Sequence, residues 1–345
     1  MKIISLLASL FFYCSLSFGV DKISSKQFKL EKVYKGDGVL WSFDFLDENN
    51  ILLAFRSGKL LRYNTKEKKV HEVAFLEVAA RDQGGLLDLA VKDNQVFATF
   101  SEPLKMGRMT TSLARATFDK NFKISPFKRV FQSNAIETAA HHFGSRLLFV
   151  GDDLYMTVGD RGQRDKAQDQ STHHGTILKL DKKYTPTVFS CGHRNPQGID
   201  FDPMSKSLFE VEFGPRGGDE INKIEEGSNY GWPIVTHGKE YYGPKIGVTH
   251  KEGMVDPVEY WVPSISPSAL HFYRGDKIKE WQNKAFLACL SGRHIRMLEI
   301  KEGLVVKQSI VFSDLARRVR DIQTGPDGYF YFSTDNGQLY RVSKN

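Results

Sequence analysis

His142, Gln83, Arg194, Arg318 and Arg320 are the side chains of this chain best placed to do chemistry: an imidazole, a primary amide and three guanidiniums. Each stands at or just ahead of a short apolar segment. Gln83 precedes Gly85-Leu-Leu, His142 precedes Arg146-Leu-Leu, Arg194 precedes Gln197-Gly-Ile, and Arg318 and Arg320 precede Asp321-Ile. Guanidiniums gathered in one place repel one another unless an anion sits between them, and a planar anion with carboxylates suits their bidentate fork. An imidazole beside such cations is held neutral and accepts a proton. Taken singly, each arginine is equally an ordinary salt-bridge partner, and His142 a satisfied core histidine. The chemistry depends on their meeting.

A second stretch, Glu212-Phe-Gly-Pro-Arg-Gly-Gly-Asp219-Glu220-Ile-Asn222, mixes glycines with carboxylates and an amide. These are the hard oxygen ligands that calcium prefers, although the spacing is not that of a helix-loop-helix calcium site and a tight inter-strand loop reads equally well. The pairs His141-His142 and His173-His174 have no acidic or cysteine complement nearby, which argues against zinc.

The elements that must gather these residues are repeated. Six segments share a basic residue at their fifth position: Gly58 to Arg62, Thr111 to Arg115, Gly175 to Lys179, Asp219 to Lys223, Gly292 to Arg296 and Gly337 to Arg341. Ahead of each lie one or two short alternating apolar runs. The last copy is clearest, with Asp321-Ile-Gln-Thr, a Gly325-Pro-Asp-Gly328 turn, Tyr329-Phe-Tyr-Phe-Ser, an Asp335-Asn-Gly337 turn and Leu339-Tyr-Arg-Val. Pro-Asp-Gly and Asn-Gly between alternating runs are hairpin turns, because glycine accepts the positive φ they demand. No 3.6-residue apolar period of helical length competes. Six copies of three or four strands predict an all-β, six-bladed β-propeller, since a sandwich has no reason to repeat its sequence. In a propeller the residues just before each blade's first strand share one mouth of the central channel. Repeat symmetry therefore predicts that the imidazole, the amide and the guanidiniums converge there.

Composition bounds the rest. Lys2, the apolar run from Ile3 to Phe18 and the small residues Ser17 and Gly19 read as a signal peptide over 1–19, leaving one propeller domain over 20–345. The run is short and lacks a basic stop-transfer flank, which disfavours an anchor. Export, to the periplasm or beyond, is the expectation. The net charge of +7 drops to +6 when Lys2 leaves. No Lys/Arg block resembles a nucleic-acid arm and no second span inserts in a membrane. After Cys14 leaves with the signal, Cys191 and Cys289 remain, as consistent with two buried thiols as with one disulfide.

Four stretches also carry a resemblance. Gly192-His-Arg-Asn-Pro-Gln-Gly198, Phe213-Gly-Pro-Arg-Gly-Gly-Asp-Glu-Ile-Asn222, Asn229-Tyr-Gly-Trp-Pro233 and His142-Phe-Gly-Ser-Arg-Leu147 resemble the soluble quinoprotein glucose/sorbosone dehydrogenase family, particularly its periplasmic aldose sugar dehydrogenase branch. The likeness runs in order from about Gln83 to Arg320. It implies an enzyme that uses pyrroloquinoline quinone (PQQ) and calcium to oxidise the anomeric carbon of an aldose, passing electrons to a periplasmic acceptor. By the same resemblance His142 matches the catalytic base. Arg194, with Asn195 beside it, faces the reactive quinone carbonyl. Gln83 contacts the cofactor, and Arg318 and Arg320 hold its carboxylates. Gly214 and Pro215 offer backbone carbonyls to calcium, and Asp219, Glu220 and Tyr230 fall in the calcium-associated region.

Departures accompany the likeness. His141 stands where the glucose-oxidising branch has an acid, and Arg161 where it has an amide, which makes Arg161 a further candidate for the cofactor. A lysine expected near Leu290 is replaced by Ser291 and Gly292, with Arg161 or Arg293 as possible substitutes. The alternatives are a non-catalytic propeller that binds a carbohydrate or protein partner, and a metal-dependent lactone hydrolase. The hydrolase needs axial carboxylates where this mouth is basic.

Overall fold

The repeat becomes six four-stranded antiparallel sheets arranged as blades around an axis. The computed structural model describes residues 20–345; the proposed signal segment 1–19 lies outside them. Each blade begins with an inner strand: Leu40–Phe45, Leu86–Lys92, Leu147–Val150, Pro196–Asp202, Pro267–Phe272 and Val319–Thr324 for blades 1 to 6. Three further strands follow outward in every blade but the last. The segments with the shared basic residue are the third strands in all six, as the repeat predicts. Blade 6 takes its outer strand, Phe28–Lys35, from the N-terminal side, paired with Gln338–Lys344. That pairing closes the ring and leaves no open seam between first and last blade. Asp21–Ile23 adds a parallel strand outside blade 5. Among the described residues the only helical segments are short 3-10 turns.

The hydrophobic core is divided rather than central. Six apolar clusters coincide with the six junctions between neighbouring blades. The richest joins blades 5 and 6, where Trp281, Tyr273, Phe286, Phe312, Phe330 and Phe332 pack edge to face or tilted. Each junction buries alternate residues of two sheets, so every strand is satisfied by its own blade's ladder and by a neighbour's side chains.

Two polar devices fix the blades at the axis. Inner-strand aspartates accept backbone N–H groups of the next blade: Asp44 from Val91, Asp88 from Leu147, Asp200 from Phe272 and Asp321 from Phe43. Arg146 of blade 3 lies buried in the channel. Its Nη1 donates to Asp88 at 2.9 Å and to Asp321 at 3.0 Å. Its Nε reaches the Gln197 carbonyl at 2.8 Å, and its Nη2 reaches the carbonyls of Ser268 and Arg320. Ser42 donates to Asp88, so all six blades meet in this one network.

Five of the six inner strands carry a bulge near their start, that of blade 3 being regular. Pairing with the second strand slips between Leu40 and Ser42, Leu86 and Asp88, Pro196 and Gly198, Pro267 and Ala269, and Val319 and Ile322. A bulge bends a strand and re-aims the side chains beside it. Gln83, Arg194, Arg318 and Arg320 lie at or just ahead of such bends, whereas His142 precedes the regular inner strand of blade 3.

Candidate active site

Two adjoining cavities open at the bulged ends of the inner strands. The outer one, about 600 Å³, is lined by Gln83, His142, Arg194, Gly214 and Pro215, with Ser291 and Tyr241 on its rim. The inner one, about 260 Å³, is lined by Gln83, Asn195, Trp41, Arg318, Arg320 and Asp335. Gln83 and Phe213 belong to both walls. The structure thus brings Gln83, His142, Arg194, Asn195, Arg318 and Arg320 together at one mouth, as repeat symmetry predicts.

The backbone takes the left-handed region at His142 (φ 53°) and Ser145 (φ 86°), in the loop ahead of blade 3's inner strand, and at Arg161 (φ 54°), after its second strand. Such conformations persist only where surrounding contacts hold them. Here the Gln83 side-chain oxygen accepts the His142 N–H at 3.0 Å, and the Asn195 side-chain oxygen accepts Gly144 N–H at 3.1 Å. The imidazole Nδ1 lies 2.7 Å from Oδ1 of Asp160, which is buried. Asp160 also accepts Gly162 N–H at 2.8 Å and the Trp232 indole N–H at 2.8 Å. Burial alone would raise the Asp160 carboxyl. Its contacts with His142, then Arg194 and the Gly162 N–H, outweigh that and hold it below the usual range. Burial, and then the Arg194 charge, press the His142 imidazolium pKa down to about 4 against the pull of Asp160. At neutral pH the pair is therefore a carboxylate and a neutral imidazole. Nδ1–H donates to Asp160, and Nε2 is left as a free base on the cavity side. Asp160 is absent from the sequence reading. Its position directly after a second strand, in Gly159-Asp-Arg-Gly162, is the signal that the same mouth would collect it.

Arg194 is buried, its Nη1 donating to the carbonyls of Phe213 and Gly214 at 3.0 and 2.8 Å and its guanidinium 5.3 Å from the Trp232 ring. Arg320 lies 4.0 Å over the Trp41 ring. Arg318 and Arg320 each donate through Nε to one oxygen of Asp335 at 2.7 Å. Among the described residues their Nη groups have no protein acceptor, so a fork remains open toward the inner cavity. Asp335 is a residue the sequence reading did not single out; it comes from the Asp335-Asn-Gly337 turn of the same blade.

Several expectations need correction. Arg161 turns away from the mouth and lines neither cavity. Its guanidinium donates to the carbonyls of His141, Ala139 and Met109 and stacks 3.6 Å over Phe143. It braces the His142 loop from behind, and burial lowers it to about 10. Arg293 is exposed and also lines neither cavity. Both oxygens of Asp219 are engaged by the protein. One accepts Gly214 N–H, and the other accepts Ser264 Oγ–H and the N–H groups of Ile265 and Ser266. Its work is to shape the Gly214–Pro215 loop. The Tyr230 hydroxyl donates to the Lys223 carbonyl at 2.6 Å while its ring stacks on His193. Cys191 and Cys289 are separate buried thiols, and burial pushes the Cys289 thiol up to about 12.

Glu220 instead faces a carboxylate cluster beneath the mouth. Glu212 pairs directly across the ladder with Glu220, and Glu210 with Asn222. The His193 Nδ1 lies 3.6 Å from Glu212 and 3.8 Å from Glu210. Among the described residues, His193, Glu210 and Glu212 form the one group whose ligand atoms lie close enough together to meet one ion. Like charges directly opposite in an antiparallel pair destabilise a sheet. Burial first, and then the Glu212 charge, push both Glu210 and Glu220 well above the usual carboxyl range. Glu210 Oε1, Asn222 Oδ1 and His193 Nδ1 are buried without a hydrogen-bond partner. Oxygen-rich, buried and unsatisfied, this set fits a divalent cation of the calcium type. Two glutamates two residues apart in a buried strand were the available signal. Glu212 Oε2 also accepts the Arg194 and Asn195 N–H groups, which ties the cluster to the cavity wall.

Comparison with known proteins agrees with this geometry. Residues 38–341 match the family model described as glucose / sorbosone dehydrogenase. The chain is 34% identical to an uncharacterised protein of Synechocystis over 94% of its length and 89% of that protein's. It is 33% identical to an aldose sugar dehydrogenase of Escherichia coli, over 88% of this chain and 89% of the other. The crystal structure of a soluble aldose sugar dehydrogenase from the same bacterium, in its apo form, superposes with a TM-score of 0.86 and 30% identity, covering 92% of this chain and all (100%) of that one. A quinoprotein glucose dehydrogenase of Acinetobacter calcoaceticus is 30% identical over 63% of this chain and 54% of its own length. With a match across almost the whole propeller, the chain belongs to the glucose/sorbosone dehydrogenase family.

Proposed function

We propose that this protein is a PQQ- and calcium-dependent aldose dehydrogenase, exported to the periplasm, that oxidises the anomeric C1 hydroxyl to a lactone. The observation that carries the reading is the neutral His142 held by ionised Asp160 beside a cavity ringed by Arg194, Arg318 and Arg320. When bound, the quinone would supply the two-electron acceptor for the hydride from C1, and calcium the Lewis acidity that makes it a better acceptor.

The chain's own residues do the rest. Nε2 of His142 takes the proton of the C1 hydroxyl while the C1–H bonding pair departs as hydride and the C1–O bond becomes a carbonyl. Asp160 keeps the imidazole in the Nδ1–H form and stabilises the imidazolium that results. Arg194 supplies positive charge where oxyanion character develops on the acceptor. Arg318 and Arg320, aimed by Asp335, hold cofactor carboxylates through their free Nη groups, while the amide nitrogens of Gln83 and Asn195 remain available to it. His193, Glu210 and Glu212, with Glu220 paired across the ladder beside them, would hold a divalent cation beneath the mouth, bracing the cavity wall. Gly214 and Pro215 line the cavity, and their carbonyls would hold the calcium that acts on the quinone, with Arg194 sharing the Gly214 carbonyl.

Titration of the purified protein with PQQ and calcium, followed by aldose and a dye, tests the reading. Sugar-dependent reduction supports it; tight binding with no reduction by any aldose leaves a carbohydrate- or partner-binding propeller instead. Arg320→Ala is expected to weaken PQQ binding at least about ten-fold in the same titration, as a charged hydrogen bond contributes roughly 1.5–3 kcal/mol. Glu210→Gln gives a crossed result in thermal unfolding. Without calcium it raises Tm, because a buried repulsion is relieved. With calcium it lowers Tm relative to the parent, because a ligand is lost.

A further inference from the structure

One feature of the outer cavity is unused by this mechanism. Arg216 and Lys239 line it, and they are direct antiparallel bridge partners; Lys239 is in turn bridged to Lys245. Bridge partners project to the same side, so three like charges stand in register. Among the described residues none of the three forms an ion pair. Glu240, next in sequence to Lys239, is taken by Arg164 at 2.7 Å. The Arg216 guanidinium finds only the Tyr241 carbonyl, at 3.2 Å.

The comb is also rigid. Arg216 N–H donates to the Lys239 carbonyl at 3.1 Å. Gly218, at φ 69°, approaches Gly238 so closely that a Cβ would lie 2.3 Å from its backbone nitrogen. Like cations carried on bridged backbone positions, without a counter-charge, are organised for an anion. The cofactor's carboxylates already have Arg318 and Arg320 on the inner wall, whereas Arg216 and Lys239 stand on the outer, solvent-facing side of the cavity that holds His142.

Resting on the dehydrogenase reading, we propose that Arg216 and Lys239 select aldoses bearing a carboxylate or phosphate at the end of the ring remote from C1. The anionic group docks on the two cations while C1 lies at His142, and Tyr241 and Val262 offer apolar surface to the ring between them.

The test compares initial rates of the PQQ- and calcium-loaded protein on glucose and galactose with those on glucuronate, galacturonate and glucose 6-phosphate. The acidic sugars are expected to show kcat/KM at least about ten-fold higher, the equivalent of one charge-assisted contact. That ratio is expected to fall at high ionic strength and to collapse toward one in Arg216→Gln/Lys239→Gln, with the PQQ titration unchanged. Both side chains are exposed and the bridge between them is made by backbone, so the variant keeps its fold. Equal rates on neutral and acidic aldoses overturn the proposal and leave the dehydrogenase reading intact. A double variant that loses PQQ affinity overturns it too, by assigning the cations to the cofactor. No turnover with any aldose removes the dehydrogenase reading, and this proposal with it.

Discussion

His142→Ala is expected to lower sugar-dependent turnover by about two to four orders of magnitude while PQQ binding, read from cofactor absorbance, stays within a few-fold. Nothing else at the mouth can replace the base. The guanidiniums carry no free lone pair, and Asp160 is buried behind the imidazole with all its contacts used. The pH profile sharpens the prediction. A base whose conjugate acid has a pKa near 4 is fully available at neutral pH, so kcat/KM should be flat from pH 7 down to about 5 and fall as pH drops through 4. A profile breaking near 6.5, the ordinary histidine value, would mean that the imidazole is solvated and the Asp160 pair is not as described. Linkage gives a second reading of the same shift. The folded pKa is depressed, so between about pH 6.5 and 4 the unfolded chain binds a proton here that the folded chain does not. Folding stability is then lost as pH falls through that window. Asp160→Asn removes the orienting carboxylate and should cost much of the rate with His142 still in place.

The largest effect on stability is expected from Arg146→Met. The guanidinium is buried on the axis between Asp88 and Asp321 and satisfies three carbonyls of three other blades. Removing one partner of a buried ion pair strands the others and typically costs about 3–5 kcal/mol, a large share of the roughly 5–15 kcal/mol that holds a domain together. Denaturant unfolding followed by intrinsic fluorescence measures it. The loss should be greatest at neutral pH. Asp88 is already raised to about 6 by burial, with the Arg146 charge opposing that rise. Without Arg146 it rises further, so the variant recovers stability as pH is lowered and the carboxyls protonate. Arg146→Lys should rescue only partly, since an ammonium cannot span two carboxylates and three carbonyls. A variant as stable as the parent at pH 7 would show that the blades are held by their apolar junctions alone.

Much of this molecule was legible in the sequence, because its information is local and repeated. Pro-Asp-Gly and Asn-Gly turns between alternating runs specify hairpins through glycine's positive φ. Six copies of one hairpin pattern specify blades, and the shared basic residue marks the third strand of every one. Once the blades are equivalent, positions ahead of the first strands must share a mouth. That is why Gln83, His142, Arg194, Arg318 and Arg320 could be gathered before any distance was known.

Tertiary structure alone decided which way the side chains point and which partners they meet across blades. Arg161, three residues from the second strand of blade 3, turns behind the His142 loop, where it packs on Phe143 and donates to three carbonyls. Asp160 beside it turns toward the imidazole. Asp219 spends its oxygens on backbone N–H groups, while Glu220, the next residue on the strand, points to the opposite face and joins Glu210, Glu212 and His193. Arg146 reaches carboxylates 58 and 175 residues away, which no local pattern encodes. A strand's period tells which residues share a face, but only closure of the ring sets what that face meets.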